Sequence, residues 1–259
     1  MISNNYTKII SFIFFISAFS TINSQCSSSI YSNTPTVFCE GDSVILRAET
    51  KSNAWTQKAN FGGAARERGV GFSVGNKGYI GTGFGSSNRK DFWEYDPTTN
   101  TWTQKADFGG TARNNAVGFS IGDKGYIGTG YDGSRKKDFW EYNPSTNAWV
   151  QKKNFGGAAR SEAVGFSIGS KGYIGTGYNG TNSVKDFWEY NPVADTWIQK
   201  KDFGGSIKTR AVGFSISDKG YIGTGAITGN AYTADFWEYN PAADTWIQKA
   251  DFGGLGRQS

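Results

Sequence analysis

The 259-residue chain has no histidine, two cysteines, one methionine, five prolines and few leucines. Without histidine it lacks both the commonest metal ligand and the usual general base near neutral pH. Neither cysteine lies beyond Cys39, so thiol chemistry is confined to the first fifth of the chain. The apolar run Ile9–Phe19 is about half of the roughly 20 residues that a membrane helix needs, so no span is expected in the mature chain. The formal charge of +5 is mild, and lysines and arginines are spread through the repeats in runs of three at most, which argues against a nucleic-acid tract. What is abundant is glycine, 36 residues, and aromatics at 16%, a composition of short strands joined by tight turns.

Those aromatics are periodic. Trp55, Trp102, Trp149, Trp197 and Trp246 are separated by steps of 47, 47, 48 and 49 residues, and all nine tryptophans fall within the repeats. Each repeat reads approximately W-x-Q-K-x-D/N-F-G-G, A/G-V-G-F-S, K-G-Y-I-G-T-G, then D-F-W-E-Y-D/N-P. In the second, Ala116–Ile121 alternates as a strand, Gly122-Asp123-Lys124-Gly125 turns it, and Tyr126–Gly130 returns. Glycine or Asn/Asp is expected to supply the positive φ of these tight turns. Asp138–Tyr142 is a third strand with large apolar groups on both faces, as suits a sheet covered on both sides. Asn143-Pro144 opens another turn and Trp149–Phe155 forms the fourth strand. Four strands per repeat at this period predict an all-β propeller, one blade per repeat. The DFWEY stripe is read as core rather than as an aromatic sugar platform, because it lies within strands and not at loop tips.

The Tyr142 to Trp149 spacing, the turn between them, the paired glycines and the Arg before the next blade resemble kelch repeats of the bacterial, galactose-oxidase-like kind. The resemblance runs from Trp55 to Arg257 and departs from the family at Gly-Thr-Gly (Gly81-Thr82-Gly83 and equivalents), where an adjacent glycine pair is usual. It implies a kelch-type β-propeller with four complete four-stranded blades and a surplus outer strand, Trp55–Phe61. The repeat region is 55–259, divided as 55–101, 102–148, 149–196, 197–245 and a partial 246–259. Kelch resemblance implies six or seven blades more often than four. The ring is therefore expected to be incomplete, as in a truncated product of a larger surface protein, or strained shut with four blades, or completed by head-to-tail pairing of two chains as a homodimer. The G-x-G-x-x-G matches at Gly128–Gly133 and Gly175–Gly180 are not dinucleotide sites, because a strand and not a helix follows them.

Ahead of the repeats, residues 1–25 read as a secretory signal: Lys8, an apolar core, then small residues at Ser20 and Ser24. Export makes the chain secreted or cell-surface and permits a Cys26–Cys39 disulfide, with two free thiols the alternative. Residues 26–54 form a short segment in which Thr36–Glu49 resembles the opening strands of an immunoglobulin-like module, too short to be more than a remnant or cap.

Of the four loop sets, two vary between repeats while the 1–2 and 3–4 turns are nearly constant. The strand 2–3 loops are 84–90, 131–137, 178–185 and 226–234, and the strand 4–1 links include 66–68, 113–115, 160–162 and 208–210. In a four-stranded blade both sets fall on one face, where loops are freest to carry function; neutral drift in exposed loops is the alternative. Arg66, Arg113, Arg160 and Lys208 share one position there. They predict a partial basic ring able to hold the oxyanions of an acidic glycan or protein, or else ion pairs with Asp91, Asp138, Asp186 and Asp235. Arg89, Arg135, Tyr178, Asn179 and Tyr232 in the 2–3 loops are further candidate ligand contacts. No metal site, cofactor or catalytic residue is expected: the copper site of similar oxidases wants histidine and cysteine. Epimerase-like acid/base work would have only Glu67 and Glu162 in the variable links. The expected function is a non-catalytic extracellular binding or adhesion scaffold, with a structural product or a sugar-modifying enzyme as alternatives.

Overall fold

The computed structural model describes residues 55–227 and 231–258. The signal segment, the Cys26–Cys39 bridge and the immunoglobulin-like remnant lie outside them. From Lys58 onward the described chain forms one compact unit.

Each repeat folds as expected into a meander of four antiparallel strands, with no helix among the described residues. The first blade comprises β1 (Val70–Val74), β2 (Lys77–Gly81), β3 (Phe92–Asp96) and β4 (Thr101–Lys105). The second comprises β5 (Val117–Ile121), β6 (Lys124–Gly128), β7 (Phe139–Asn143) and β8 (Ala148–Lys152). The third comprises β9 (Val164–Ile168), β10 (Lys171–Gly175), β11 (Phe187–Asn191) and β12 (Thr196–Lys200). The fourth comprises β13 (Val212–Ile216), β14 (Lys219–Gly223), β15 (Phe236–Asn240) and β16 (Thr245–Lys249). Register is the same in every blade: Phe119 opposes Tyr126, Tyr126 opposes Glu141, and Tyr142 opposes Trp149.

The β1–β2 type hairpins are two-residue turns with positive φ at Gly75, Gly122 and Gly169. In the fourth blade that conformation falls on Ser217 (φ 53°), not on the neighbouring Asp218, so the Asp expected to adopt it does not. The unusual Gly-Thr-Gly is resolved similarly. Thr82, Thr129, Thr176 and Thr224 hold φ of 55–59°, a region costly for a β-branched residue, and their hydroxyls are buried without a partner.

The four blades form a four-blade β-propeller whose ring is not closed by hydrogen bonds. Inner strands neighbour one another in the series β1, β5, β9, β13, and β13 does not meet β1. Blade-on-blade packing is knobs against glycines. Val70 and Phe72 face Gly118, and Phe72 also faces Gly125; Phe119 faces Gly165 and Gly172; Phe166 faces Gly213 and Gly220. The DFWEY stripe is core, as read from the sequence: Phe92, Phe139 and Phe187 are fully buried, each with a tyrosine of the next blade 4.8 Å away edge-on. Burying one such ring contributes about 1.5–3 kcal/mol, so these stacks dominate cohesion between blades.

One expected element is missing. No residue from 55 to 61 is in a strand. An outer strand needs an inner partner for its backbone groups, and none of the described strands pairs with this segment. Phe61 instead lies edge-on against Trp93 and Trp102 of the first blade.

Candidate ligand-binding face

The two variable loop sets are joined in space. Each 2–3 loop folds back as a small hairpin and pairs with the link entering its own blade. Glu67 and Phe84 exchange backbone hydrogen bonds of 2.9 and 2.8 Å, as do Asn114 with Tyr131, Ser161 with Tyr178 and Thr209 with Ala226. One face thus carries both of the loop sets that differ most between repeats.

The four cations at the shared position lie beneath this face, in the other arrangement open to them from the sequence. Arg113 is 1% exposed, and all five of its donor hydrogens have acceptors: Thr111 O and Oγ1, Thr129 O, and both Asp138 carboxylate oxygens at 2.6 and 2.7 Å. Phe108 covers its guanidinium plane at 4.9 Å. Arg160 pairs with Asp186 at 2.6 Å, Arg66 with Asp91 and Lys208 with Asp235, all with buried side chains. A tryptophan indole N–H also donates to each of these carboxylates, as Trp140 does to Asp138 at 2.8 Å. Burial by itself would raise the Asp138 pKa, but hydrogen bonds and charge from Arg113 more than offset it and hold the carboxyl below its usual range. Asp91, Asp186 and Asp235 behave alike with their own cations. Burial lowers Lys208 despite Asp235 beside it. These cations pin each link to its blade and present no free donor to a ligand at Arg113.

What the face does offer is nearer the axis. Arg68, Asn115, Glu162 and Arg210 occupy one equivalent position, two residues after the pinned cation. All four have left-handed backbone, φ 51–59°. They are threaded by backbone bonds from Asn115 to Arg68, Glu162 to Asn115 and Arg210 to Glu162, of 3.0–3.1 Å. Their side chains differ in sign and size, so an otherwise regular array has an asymmetric centre. A cavity of about 480 Å³ opens there, lined by Arg68, Asn115, Glu162, Arg210 and Gln258 among others. Glu162 accepts from Arg210 at 2.9 Å, and Arg68 sits 3.3 Å from Glu67.

A second cavity, about 450 Å³, adjoins it and shares Glu162 and Arg210. Arg135 lies on its wall with Tyr178, its guanidinium 4.4 Å from the Tyr178 ring and 5.5 Å from that of Tyr131. Its Nε is buried without a hydrogen-bond partner, and among the described residues it has no carboxylate within ion-pairing distance. The neighbouring Asp132 already accepts from Thr111 and Lys136; burial would raise its pKa, but those bonds hold it well below the carboxylate range. Thr181, Asn182 and Ser183 supply polar groups on the same wall.

Of the residues nominated from sequence, Arg135 and Tyr178 therefore come together. Arg89 resembles Arg135 in having a buried Nε without a partner, but it lines neither cavity. The Asn179 side chain caps its own loop through the N–H groups of Thr181 and Asn182. Tyr232 is half exposed and also stands outside both cavities. Arg68, Glu162 and Arg210 as a group were missed. Their signal was present but shared: the aligned column reads Arg, Asn, Glu, Arg, and the column before it reads Glu, Asn, Ser, Thr. Among the described residues no cluster of acidic or thiol groups could hold a metal ion.

No protein-family model and no curated protein matches the chain. Among solved structures it is similar to the propeller titled "Structure of YjhT", with a TM-score of 0.64 and 19% identity, over 74% of this chain and 68% of that one. The likeness is one of fold.

Proposed function

We infer that the chain is an exported, non-catalytic binding scaffold whose variable-loop face takes an acidic ligand, with an acidic glycan the best fit. The carrying observation is Arg135: a cation with no carboxylate partner and an unbonded Nε, held between two tyrosine rings on the wall of an open polar cavity. A guanidinium oriented this way presents a planar fork to a carboxylate or sulfate. Tyr178 offers a ring face to a sugar, and Thr181, Asn182 and Ser183 offer hydroxyl and amide partners. Arg68 and Arg210 extend positive charge toward the axis, and the shared wall lets an extended chain cross both cavities. The galactose-oxidase-like kelch resemblance agrees with carbohydrate as ligand. Catalysis is disfavoured because the one carboxylate common to both cavities, Glu162, is held by Arg210.

The test is calorimetric titration with sulfated and uronic-acid oligosaccharides beside their neutral counterparts. Binding is expected for the acidic series only. Arg135→Gln should weaken it by about 10-fold or more, the scale of a charge-assisted contact of 1.5–3 kcal/mol. Equal binding of neutral sugars, or an unchanged affinity in Arg135→Gln, would overturn the reading.

A further inference from the structure

The two ends of the blade array carry the two halves of one interface. On the fourth blade no described residue of another blade packs on the knob face: Val212, Phe214 and Ile216 are 45%, 41% and 56% exposed, whereas Val164, Phe166 and Ile168 one blade earlier are 3%, 4% and 7% exposed. Tyr221 and Phe236 on the same face are only half-buried, unlike Tyr173 and Phe187. On the first blade the opposite, glycine-bearing face is equally open. A Cβ at Gly78 would meet nothing nearer than Tyr95 Cβ at 3.8 Å, where the equivalent Gly125 and Gly172 are in tight contact with phenylalanines. Ile80 and Tyr95 are half-buried there, while Ile127, Ile174, Tyr142 and Tyr190 are fully buried.

We propose that this chain associates head to tail with a second copy of itself, Val212, Phe214, Ile216 and Phe236 of one copy packing on Gly71, Gly78 and Tyr95 of the next. The choice of occupant follows from repetition. The same junction is built three times within the chain, with Phe-to-Tyr ring separations of 4.8 Å and Phe-to-Trp separations of 5.0 Å each time. The residues at the free ends are the same types at the same positions: V-G-F-S-I at β13 and K-G-Y-I-G at β2. A partner evolved for one end would have to copy the other. An apolar blade face left in water is also a liability that such pairing removes.

One adjustment is required at the junction. The leading segment 59–66 of one copy and the trailing segment 250–257 of its neighbour are equivalents and compete for one groove. The leading segment carries the Arg66–Asp91 pair and the Phe61 wedge. The trailing one has Phe252 44% exposed, and Arg257 without a carboxylate among the described residues. The trailing segment is the one that yields. Because the contact joins unlike faces, it closes into a ring only if the rotation per copy allows, and otherwise extends.

The experiment is sedimentation velocity on the full chain with one face blocked at a time. Phe214→Asp disables the knob face, and Ile216→Glu does so at a more exposed position with less risk to folding. Gly78→Glu fills the glycine face without touching any internal junction. The unaltered chain should show concentration-dependent assembly, and each blocked variant should be a folded monomer. An equimolar mixture of Ile216→Glu with Gly78→Glu retains one free face of each kind and should form a single species of twice the monomer mass. An unaltered chain that stays monomeric, assembly that survives either block, or a mixture that stays monomeric would each overturn the proposal.

Discussion

The same substitution in the same pentapeptide is expected to have opposite effects in two blades. Gly125 and Gly78 are both the second residue of K-G-Y-I-G, at equivalent strand positions. A Cβ on Gly125 would overlap Phe72 Cε2 and stand 2.6 Å from its Cζ. The ring cannot swing aside freely, since it is stacked on Tyr79 at 5.8 Å and flanked by Phe92 at 6.0 Å. Gly125→Ala should therefore cost about 1–3 kcal/mol through overpacking. At Gly78 the nearest heavy atom is 3.8 Å away and the backbone is not left-handed, so alanine fits. There the loss of glycine's freedom in the unfolded chain should stabilise by about 0.4–1 kcal/mol. The two variants should differ by roughly 2 kcal/mol or more, several degrees in Tm for a domain of this size. Urea unfolding followed by tryptophan fluorescence, in protein dilute enough to be monomeric, measures the difference. Equal destabilisation would mean that the glycine face of the first blade is covered and the ring is shut. Equal neutrality would mean that the blades do not stack through these glycines.

Two further outcomes follow from the buried ion pairs. Asp138→Asn leaves the buried Arg113 charge uncompensated and should cost about 3–5 kcal/mol, read as a lowered urea midpoint; a loss below 1 kcal/mol would show that the pair is dispensable. The folded-state pKa values of Asp91, Asp138, Asp186 and Asp235 are depressed, so their stabilisation is present above the unfolded value near 4 and disappears as pH falls through the folded values. Tyr142, pushed up to about 12 by burial first and by the charge of Glu94 second, holds its proton more tightly in the fold, so stability also falls as pH rises above about 10. Urea midpoints should form a plateau between those limits, and a midpoint that rises on acidification below pH 4 would contradict the ion-pair geometry.

Much of the site face was legible before any coordinates. Loop length varies in the 2–3 loops and composition varies most in those loops and the 4–1 links, and strand count forces both to one face. The choice between a basic ring and buried pairs for Arg66, Arg113, Arg160 and Lys208 was not legible. It depends on Asp91, Asp138, Asp186 and Asp235, about 25 residues downstream, and on whether Phe108 and its equivalents close over the cation. Both are matters of packing. Nor did sequence alone rank Arg135 above Arg89: Arg135 stands at the loop position of Asn88, from which its guanidinium reaches Tyr178 of the next blade, whereas Arg89 stands one position on, at the place of Lys136.

By itself the sequence determined the blade. A period of 47–49 residues, alternating strands, two-residue turns and the DFWEY stripe admit little besides a four-stranded meander buried on both faces, because period-2 alternation and turn chemistry are local properties. Tertiary structure decided what local chemistry cannot: which glycines receive a neighbour's phenylalanine, that Trp55–Phe61 forms no strand without inner partners, that the pinned cations lie beneath the surface, and that Arg68, Asn115, Glu162 and Arg210 converge at the axis. Each of these depends on one blade meeting another. A repeat of near-identical units encodes that meeting in every copy except the first and the last, where the same surfaces are left open.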